Sequence, residues 1–432
     1  MDPLTRDEQL AAQRTLRLSY RINPLGSSIL SGQVVFLLAL EYGASDVAMG
    51  LLYGGIWLAG AAAFLAPAVC ARMDPARVTA NSWLLRTALC LPYLLLPFMP
   101  AAAKVPVIVI LFLLFMAIRT VGIAAFNVAT AAYSRPDEGG RLIAASHVWW
   151  HIGTLVVTVG STAVLARWPG SEFAYIGLIA WAIAASFVTG AVMRRMPAVG
   201  THAHEPLRRA IPRIVRDRGV REALAATLLV VPQAVAAAYQ LNVLKGPLGL
   251  AADRITALSL GAIVLSIVAT RALGVLLPRT GLRPVQLGVH AALALLGLAW
   301  AFGGLVPAAW RVPWSMSLYV VGAALLAVST AILAALHVDR LPKEGTMAAS
   351  TLFLVTGATA GALGVGLVWA TSQLGLEGLP GAGPYAHAFL VWAACSAGVC
   401  ALGIATGGTS QVLADLKLLS PGNLVGLLWS KR

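Results

Sequence analysis

Apolar runs of about 20 residues recur along the whole chain, separated by short polar breaks. Because an α-helix rises about 1.5 Å per residue, each run is long enough to cross the roughly 30 Å hydrocarbon core of a bilayer. The pattern therefore predicts an all-α membrane protein with twelve transmembrane helices. The twelve spans lie near residues 20–40, 47–70, 80–101, 105–132, 142–165, 173–195, 222–244, 256–277, 284–305, 315–337, 348–372 and 386–406.

Composition excludes a water-soluble fold. The 432 residues are 59% hydrophobic and 11% charged, whereas an average soluble domain has roughly 25% charged residues. The leader before the first span carries four arginines and lacks the short apolar core and small-residue cleavage site of a signal peptide, so we expect the first span to be retained. The four cysteines lie within or beside apolar runs without metal-ligand spacing and are predicted to be packing residues.

The distribution of positive charge predicts the orientation. With the N-terminus in the cytoplasm, 23 of the 31 Lys and Arg lie on that side, 5 lie on the other side and 3 lie inside spans. This asymmetry follows the positive-inside rule, and it places both termini in the cytoplasm. Arginine outnumbers lysine 26 to 5, which favours a bacterial inner membrane. The net charge of +14 does not indicate nucleic-acid binding, because the sequence has no soluble basic face.

Internal repeats predict two similar halves. Asp46 and Asp253 are 207 positions apart, as are Arg72 and Arg279. Two Pro-x-Glu-Gly segments, at 136–139 and 342–345, are 206 apart. Because each copy has six spans, both keep the same orientation, as in transporters whose site lies between parallel repeats. The predicted domains are an N-terminal six-helix bundle at 1–195, a basic linker at 196–221, a pseudo-symmetric C-terminal bundle at 222–406 and a cytoplasmic tail at 407–432.

A glycine- and arginine-containing motif lies between the eighth and ninth spans, and a more degenerate copy follows the second span. The motif resembles the cytoplasmic signature of the major facilitator superfamily, and the resemblance extends over nearly the whole chain. Both copies lack the acidic residue of that family's signature, having Ala71 and Pro278 in its place. The resemblance implies secondary transport by alternating access, with conformational gating at the motif residues Arg72, Arg77, Gly274, Arg279, Gly281 and Arg283.

Three arginines fall inside predicted spans, where an ionisable group is costly and is therefore a candidate for function. Arg119 lies near mid-membrane, and we weigh a substrate or coupling role against a structural anchor. Arg271 lies closer to the cytoplasmic end, and its two roles are evenly balanced. Arg86 lies in the first turns of its span and is predicted to snorkel to the headgroups. Since no Asp or Glu lies deep in any span, the embedded charge is positive and favours an organic anion.

Polar side chains also follow single helix faces. In the fifth span, His147 and His151 are one turn apart and the polar face continues into Thr154. The two histidines are candidates for proton coupling as well as for packing, and His151 and Thr154 are also candidates for substrate binding. No acidic third ligand lies nearby in that span, which argues against a metal site. Pro24 and Pro232 are expected to break the first and seventh spans. The resemblance implies that spans one, four and seven line the cavity, and this adds substrate-binding candidates at Asn23, Ser27, Ser31, Asn127, Gln233 and Gln240.

The favoured function is a secondary active transporter of a small solute, with an organic anion as the preferred class. The sequence contains no Walker motif and no nucleophile, acid–base pair or metal set beyond the two histidines. We therefore expect neither enzymatic activity nor a cofactor. The partners expected are the solute, the lipid bilayer and a coupled proton or other ion, and the protein is expected to be a monomer. A membrane-embedded enzyme and a non-transporting receptor or scaffold of the same fold are the alternatives.

Overall fold

The computed structural model describes residues 4–45, 48, 51, 52, 55, 57, 59–135, 138–168, 170–200, 207–245, 247–250, 252–342, 345–376, 380–383 and 385–407. Every regular element within these ranges is helical, as the sequence predicts. We number the α-helices in chain order: α1 Arg6–Leu30, α2 Gln33–Glu41, α3 Ala66–Cys70, α4 Pro75–Ala88, α5 Ala101–Tyr133, α6 Gly139–Arg167, α7 Glu172–Met193, α8 Leu207–Ile214, α9 Arg218–Ala237, α10 Tyr239–Lys245, α11 Ala252–Thr280, α12 Leu282–Ala301, α13 Ala308–Asp339, α14 Thr346–Ser372 and α15 Ala386–Gly407.

Ten stretches of helix in the described residues are long and apolar enough to cross a membrane. The remaining two predicted spans are built from shorter pieces. A 3₁₀ segment at Ala59–Leu65 continues into α3 at the end of the predicted second span, and α4 is followed by a 3₁₀ segment at Leu91–Phe98 in the third. Asp46 and Asp253, Pro136 and Glu344, and the tail beyond residue 407 fall where the structure describes no backbone or no side chain. Each of the twelve apolar runs therefore contains described helix.

The leader is helical, so the helix that contains the first predicted span begins at Arg6, well before residue 20. Thr5 caps α1 by accepting a hydrogen bond from the backbone N–H of Glu8, while the Glu8 carboxylate accepts from the backbone N–H of Thr5. This reciprocal pair is a capping box, which satisfies amides that a free helix end would leave unpaired. The apolar pattern could not reveal this turn because the leader is polar.

The first and seventh spans are both interrupted, but not at their prolines. Pro24 lies inside α1 and Pro232 inside α9. The breaks come later, at Ser31 and Gly32 in the first span and at Ala238 in the seventh. Ser31 and Ala238 are 207 positions apart, which is the offset of the sequence repeat. The expectation of broken helices is therefore confirmed, whereas the expectation that proline causes the break is wrong.

The chain forms two compact units. The first unit comprises Met1–Gly139, Trp149–Val220 and Leu341–Ala358; the second comprises Gly140–Val148, Arg221–Arg340 and Thr359–Arg432. The start of α6 thus belongs to the second unit, and the start of α14 belongs to the first. In the first unit α4 packs on α5 and α7, and in the second α12 packs on α13 and α15. These helices are the third, fourth and sixth spans of the first half and the corresponding spans of the second half. The division at residues 196–221 stays a prediction.

Small residues bring the helices of each unit close together, which is how helices pack where hydrocarbon offers no hydrophobic drive. A Cβ atom at Gly26 of α1 would lie 2.5 Å from the backbone carbonyl oxygen of Ala182 in α7. In the second unit, a Cβ atom at Gly364 of α14 would lie 2.8 Å from Cα of Pro232. In each unit, a glycine without a side chain therefore allows two helices to pack with their backbones in close contact.

An ion pair fastens the leader to the end of α5. The Arg6 guanidinium donates to both carboxylate oxygens of Glu138, at 2.9 and 2.6 Å, and the Gln13 amide donates to the same carboxylate at 3.3 Å. These hydrogen bonds, with that from Arg6 the strongest, lower the pKa of Glu138 to about 2. Gln13 also donates to the backbone oxygen of Tyr133 at 2.9 Å. The start of α1 is therefore held against the chain that follows α5.

This ion pair predicts a stability loss in acid. A carboxylate whose pKa is lowered on folding stabilises the fold fully above its unfolded pKa of about 4.3 and loses that contribution as the pH falls towards its folded value. Because the pair is partly exposed, we expect Glu138→Gln to cost about 1 kcal/mol at neutral pH. The difference in melting temperature between this variant and the unmodified protein should shrink steadily below about pH 4.3. Asp7→Asn, at an exposed carboxylate of α1, is the matched control, and an equal pH dependence in that variant would contradict the prediction.

Candidate functional site

A buried polar cluster in the first unit joins α1, α4 and α5. The Oδ1 atom of Asn23 in α1 accepts two hydrogen bonds from α4, one from Trp83 Nε1 at 3.2 Å and one from Arg86 Nη2 at 3.1 Å. All three side chains are buried, and Arg86 is only 1% exposed. The cluster holds a cation inside the bundle. The prediction that Arg86 snorkels is therefore wrong, because the side chain points inward and has found an acceptor there.

Aromatic rings complete the surroundings of Arg86. Its guanidinium carbon lies 4.1 Å from the centroid of the Trp83 ring and 5.0 Å from that of Phe115. A cation over a ring face is stabilised by the ring quadrupole, most strongly where water is excluded. Its Nε atom is buried without a hydrogen-bond partner. No described carboxylate forms an ion pair with it. The positive charge of Arg86 is therefore solvated by dipoles and rings, and it is not neutralised.

Arg119 lies on α5 next to this cluster. By helix rise it is about 27 Å from Ala101 and about 21 Å from Tyr133 at the two ends of α5. The side chain is half-buried, and it lies within electrostatic range of the Tyr20 hydroxyl and the Arg86 guanidinium. Among the residues that the structure describes, none forms a hydrogen bond or an ion pair with it. Arg119 is thus a mid-helix cation whose hydrogen-bond donors are available.

An aromatic group lies beside the two arginines. The Phe126 ring of α5 packs against Tyr20 of α1, with centroids 6.1 Å apart, and against Trp83 of α4, with centroids 6.2 Å apart. Trp83 therefore takes part in both the polar cluster and the aromatic group. Such rings exclude water from the charges beside them, and electrostatic interactions strengthen where water is excluded.

The hydroxyls predicted on α1 are used within the helix itself. Ser27 donates to the backbone oxygen of Asn23 at 2.8 Å, and Ser31 donates to that of Ser27 at 2.6 Å. On α5, the Asn127 amide donates to the Ser350 hydroxyl at 3.2 Å within the first unit. These three side chains have partners in the protein, which distinguishes them from Arg119. Their predicted role in substrate binding stays a prediction.

The polar stripe on α6 is divided between the units. His147 belongs to the second unit, whereas His151 and Thr154 belong to the first. The Thr154 hydroxyl lies 3.1 Å from that of Ser28 and donates to the backbone oxygen of Trp150 at 2.9 Å. Further along, Ser161 is buried in the wall of an apolar groove of about 660 Å³ formed by α1, α6 and α7. The stripe therefore ends in an apolar environment.

In the second unit, a buried hydrogen-bonded chain links three helices. His290 of α12 lies with Nδ1 3.0 Å from Gln233 Oε1 of α9 and with Nε2 3.3 Å from Ser329 Oγ of α13. Gln233 Nε2 is buried without a partner, so this amide retains a free donor. Sequence reasoning selected Gln233 and missed His290. The signal available was a histidine inside an otherwise apolar run.

The helix break at Ala238 in the seventh span is capped by Gln240, one of the predicted substrate-binding residues. Gln240 is buried on α10, and its Nε2 atom donates at 2.9 Å to the backbone oxygen of Ala237, the last residue of α9. Its Oε1 atom is buried without a partner. The side chain thus satisfies a carbonyl that the helix break leaves unpaired. Arg271 of α11, the remaining charged candidate in this unit, is exposed.

Solved structures with the same architecture identify the fold. The Escherichia coli fucose:proton symporter FucP aligns with a TM-score of 0.69 at 12% identity, covering 93% of this chain and 100% of that chain. The proton:xylose symporter XylE gives 0.66 at 14% identity, covering 96% of each chain. The human organic anion transporter MFSD10 gives 0.61 at 14% identity, covering 91% of this chain and 99% of that one. This chain has the major facilitator superfamily fold. No protein-family model and no curated protein sequence matches it.

The two copies of the glycine- and arginine-containing motif differ in structure. Near the first copy, Asp74 caps α4 through the backbone N–H of Ala76 and accepts from the backbone N–H groups of Val199 and Gly200 at 2.8 and 2.6 Å. Arg77 donates to the backbone oxygen of Arg194, and Arg72 is exposed. This copy therefore anchors the beginning of the predicted linker.

The second copy contains the turn between α11 and α12. Gly281 adopts a φ of +80° there, a region that residues with a Cβ atom rarely enter. Gly274, Arg279 and Arg283 are each half-buried around this turn. The glycine is thus required by backbone geometry at this copy. Gating by either copy stays a prediction.

Proposed function

We propose that the chain is a secondary active transporter of the major facilitator superfamily that carries a small organic anion by alternating access. The observation that supports this most directly is Arg119. It is a mid-helix guanidinium, half-buried, and no described residue provides a hydrogen-bond acceptor or a counter-charge. Leaving a charged group without partners inside a membrane protein is costly, so such a group usually binds a ligand or faces a water-filled cavity.

The charge balance around Arg119 favours an anion over other solutes. A second arginine, Arg86, lies within electrostatic range of Arg119. The described carboxylates that form ion pairs, Glu138, Glu172 and Glu222, pair with basic side chains other than these two arginines. A cation approaching Arg119 would be repelled, and a neutral sugar would leave its charge uncompensated. An anion gains Coulomb attraction that is stronger in a low-dielectric site than in water.

The structural neighbours are consistent with this proposal but do not choose the substrate. FucP and XylE are sugar symporters that use protons, and MFSD10 is an organic anion transporter. The fold therefore accommodates both substrate classes, so we infer the substrate class from the residues of the site. On this basis we propose a bacterial inner-membrane location with both termini cytoplasmic, a monomeric protein, and a coupled proton for which His147 and His151 are the candidate carriers.

The test is a ligand-binding screen followed by a transport assay. Purified protein is melted in the presence of organic anions, organic cations, neutral sugars and peptides, and the ligands that stabilise it are then tested for uptake into proteoliposomes. We expect stabilisation and saturable uptake for one or more organic anions. A preference for cations or neutral solutes that is unaffected by replacement of Arg119 would overturn the proposal.

Replacing Arg119 should separate binding from folding. We expect Arg119→Gln to weaken binding of the anion about 100-fold, since it removes a charged hydrogen bond worth roughly 3 kcal/mol. The melting temperature without ligand should hold or rise because a costly partly buried charge is lost. Arg167→Gln is the matched control, since Arg167 is an exposed arginine at the end of α6 in the same unit. Binding without flux in the unmodified protein would indicate a receptor or scaffold instead, and chemical conversion of the ligand would indicate an enzyme.

A further inference from the structure

Two arginines of the first unit share one electrostatic environment. The Arg86 guanidinium lies 5.0 Å from the centroid of the Phe115 ring on α5, and Arg119 lies one helical turn further along α5, within electrostatic range of Arg86. No described carboxylate pairs with either arginine. The groups facing Arg86 are the amide of Asn23, the rings of Trp83 and Phe115, and the Cys90 thiol, which donates to the backbone oxygen of Arg86 at 3.4 Å. The first unit therefore carries two neighbouring positive charges that nothing described there neutralises.

The two charges differ in access. Arg119 is half-buried and forms no hydrogen bond or ion pair with any residue that the structure describes, so it is the residue that a ligand can touch. Arg86 is 1% exposed and is held by Asn23 and two aromatic rings. A ligand cannot displace that packing easily. Arg86 therefore acts at a distance, as a fixed positive charge behind the binding residue, and it is a positioning residue for the ligand's charge.

We propose that the substrate carries two negative charges, either as a dicarboxylate or as a phosphate or phosphonate group. This inference rests on the proposed function and specifies its substrate class. One negative charge pairs with Arg119, and the second is attracted by the unneutralised field of Arg86. The field is long-ranged because the rings around Arg86 exclude water, which would otherwise screen it. A monoanion gains only the first interaction and leaves the second charge uncompensated.

Pairs of probes that differ in charge and only slightly in shape test the proposal. Phenylphosphonate is compared with benzenesulfonate at about pH 8, where phosphoryl groups carry close to two charges. Succinate and terephthalate are each compared with their monomethyl esters. Binding to the full-length protein is measured by titration calorimetry. We expect the dianion of at least one pair to bind about tenfold more tightly than its monoanion, a difference of about 1.4 kcal/mol.

Variants of Arg86 and of Asn23 assign the preference to the buried charge. Arg86→Lys keeps the charge and should preserve the ratio of dianion to monoanion affinity, whereas Arg86→Gln should reduce that ratio to about twofold or less. Asn23→Asp places a carboxylate against Arg86 without removing the guanidinium, so it should reduce the ratio in the same way. It also keeps the proposal testable if Arg86→Gln does not fold. A purely structural role for Arg86 would change both affinities equally.

The outcomes separate this inference from the proposed function. Equal affinity for the members of every pair, or a ratio that survives both Arg86→Gln and Asn23→Asp, overturns the dianion proposal. Absence of binding by every probe also overturns it. A monoanion that binds through Arg119 while dianions gain nothing leaves the proposed function intact. A preferred ligand that is neutral or cationic defeats both.

Discussion

Gly26→Ala should strongly destabilise the first unit, although it adds a single methyl group. The new Cβ atom would lie 2.1 Å from Ser186 Oγ and 2.5 Å from the backbone oxygen of Ala182. The serine can rotate, but the carbonyl belongs to α7 and cannot move without separating α7 from α1. Overpacking of this kind costs about 3 kcal/mol. The measurement is the melting temperature of purified protein in detergent, together with the yield of monodisperse material.

Gly177→Ala provides the matched control. Gly177 lies on α7, the helix that Gly26 contacts, but a Cβ atom there meets nothing within 4 Å. Alanine is favoured over glycine inside a helix by up to about 1 kcal/mol, so this variant should be as stable as the unmodified protein or more stable. Gly26→Ala combined with Ser186→Ala should recover only part of the loss because the carbonyl contact remains. Equal melting temperatures for Gly26→Ala and Gly177→Ala would refute the close approach of α1 and α7.

Asn23→Ala is the second change with a large expected effect. It removes the acceptor of Trp83 and Arg86 together and leaves an indole N–H and a guanidinium N–H buried without partners. Losing a hydrogen bond to a buried charged group costs roughly 3 kcal/mol. Truncation also opens a small cavity between α1 and α4. We therefore expect a clear fall in the melting temperature, with further loss of dianion binding if Arg86 becomes disordered.

A half-buried asparagine that accepts from an exposed arginine serves as the comparison. Asn81 Oδ1 accepts from Arg194 Nη2 at 3.2 Å, and Arg194 is exposed. Because water can replace that bond, Asn81→Ala should cost no more than about 1 kcal/mol. The prediction is contradicted if Asn23→Ala and Asn81→Ala melt at the same temperature. The hydrogen bond to Arg86, which is only 1% exposed, would then contribute no more to stability than the bond to exposed Arg194.

The candidate site shows where sequence reasoning succeeds and where it fails. Arg119 was predictable, because helix rise alone places it far from both ends of an apolar run. Arg86 was misassigned, since its distance from a span end says nothing about the direction in which its side chain points. His290 was overlooked because its partners, Gln233 and Ser329, are 57 and 39 positions away. Depth follows from position along one helix, whereas partners depend on which helices pack together.

The sequence by itself determined the membrane class, the helical spans and the repeat of about 207 residues, because bilayer thickness imposes a length on every apolar run. It also located the mid-membrane arginine. Only the tertiary structure decided that Ser31 and Ala238, and not the prolines, mark the helix breaks. It alone placed Asn23 against Arg86 and left Arg119 without a hydrogen-bond or ion-pair partner in the described part of the chain. Those features arise from side chains on different helices, and no local pattern along the chain encodes them.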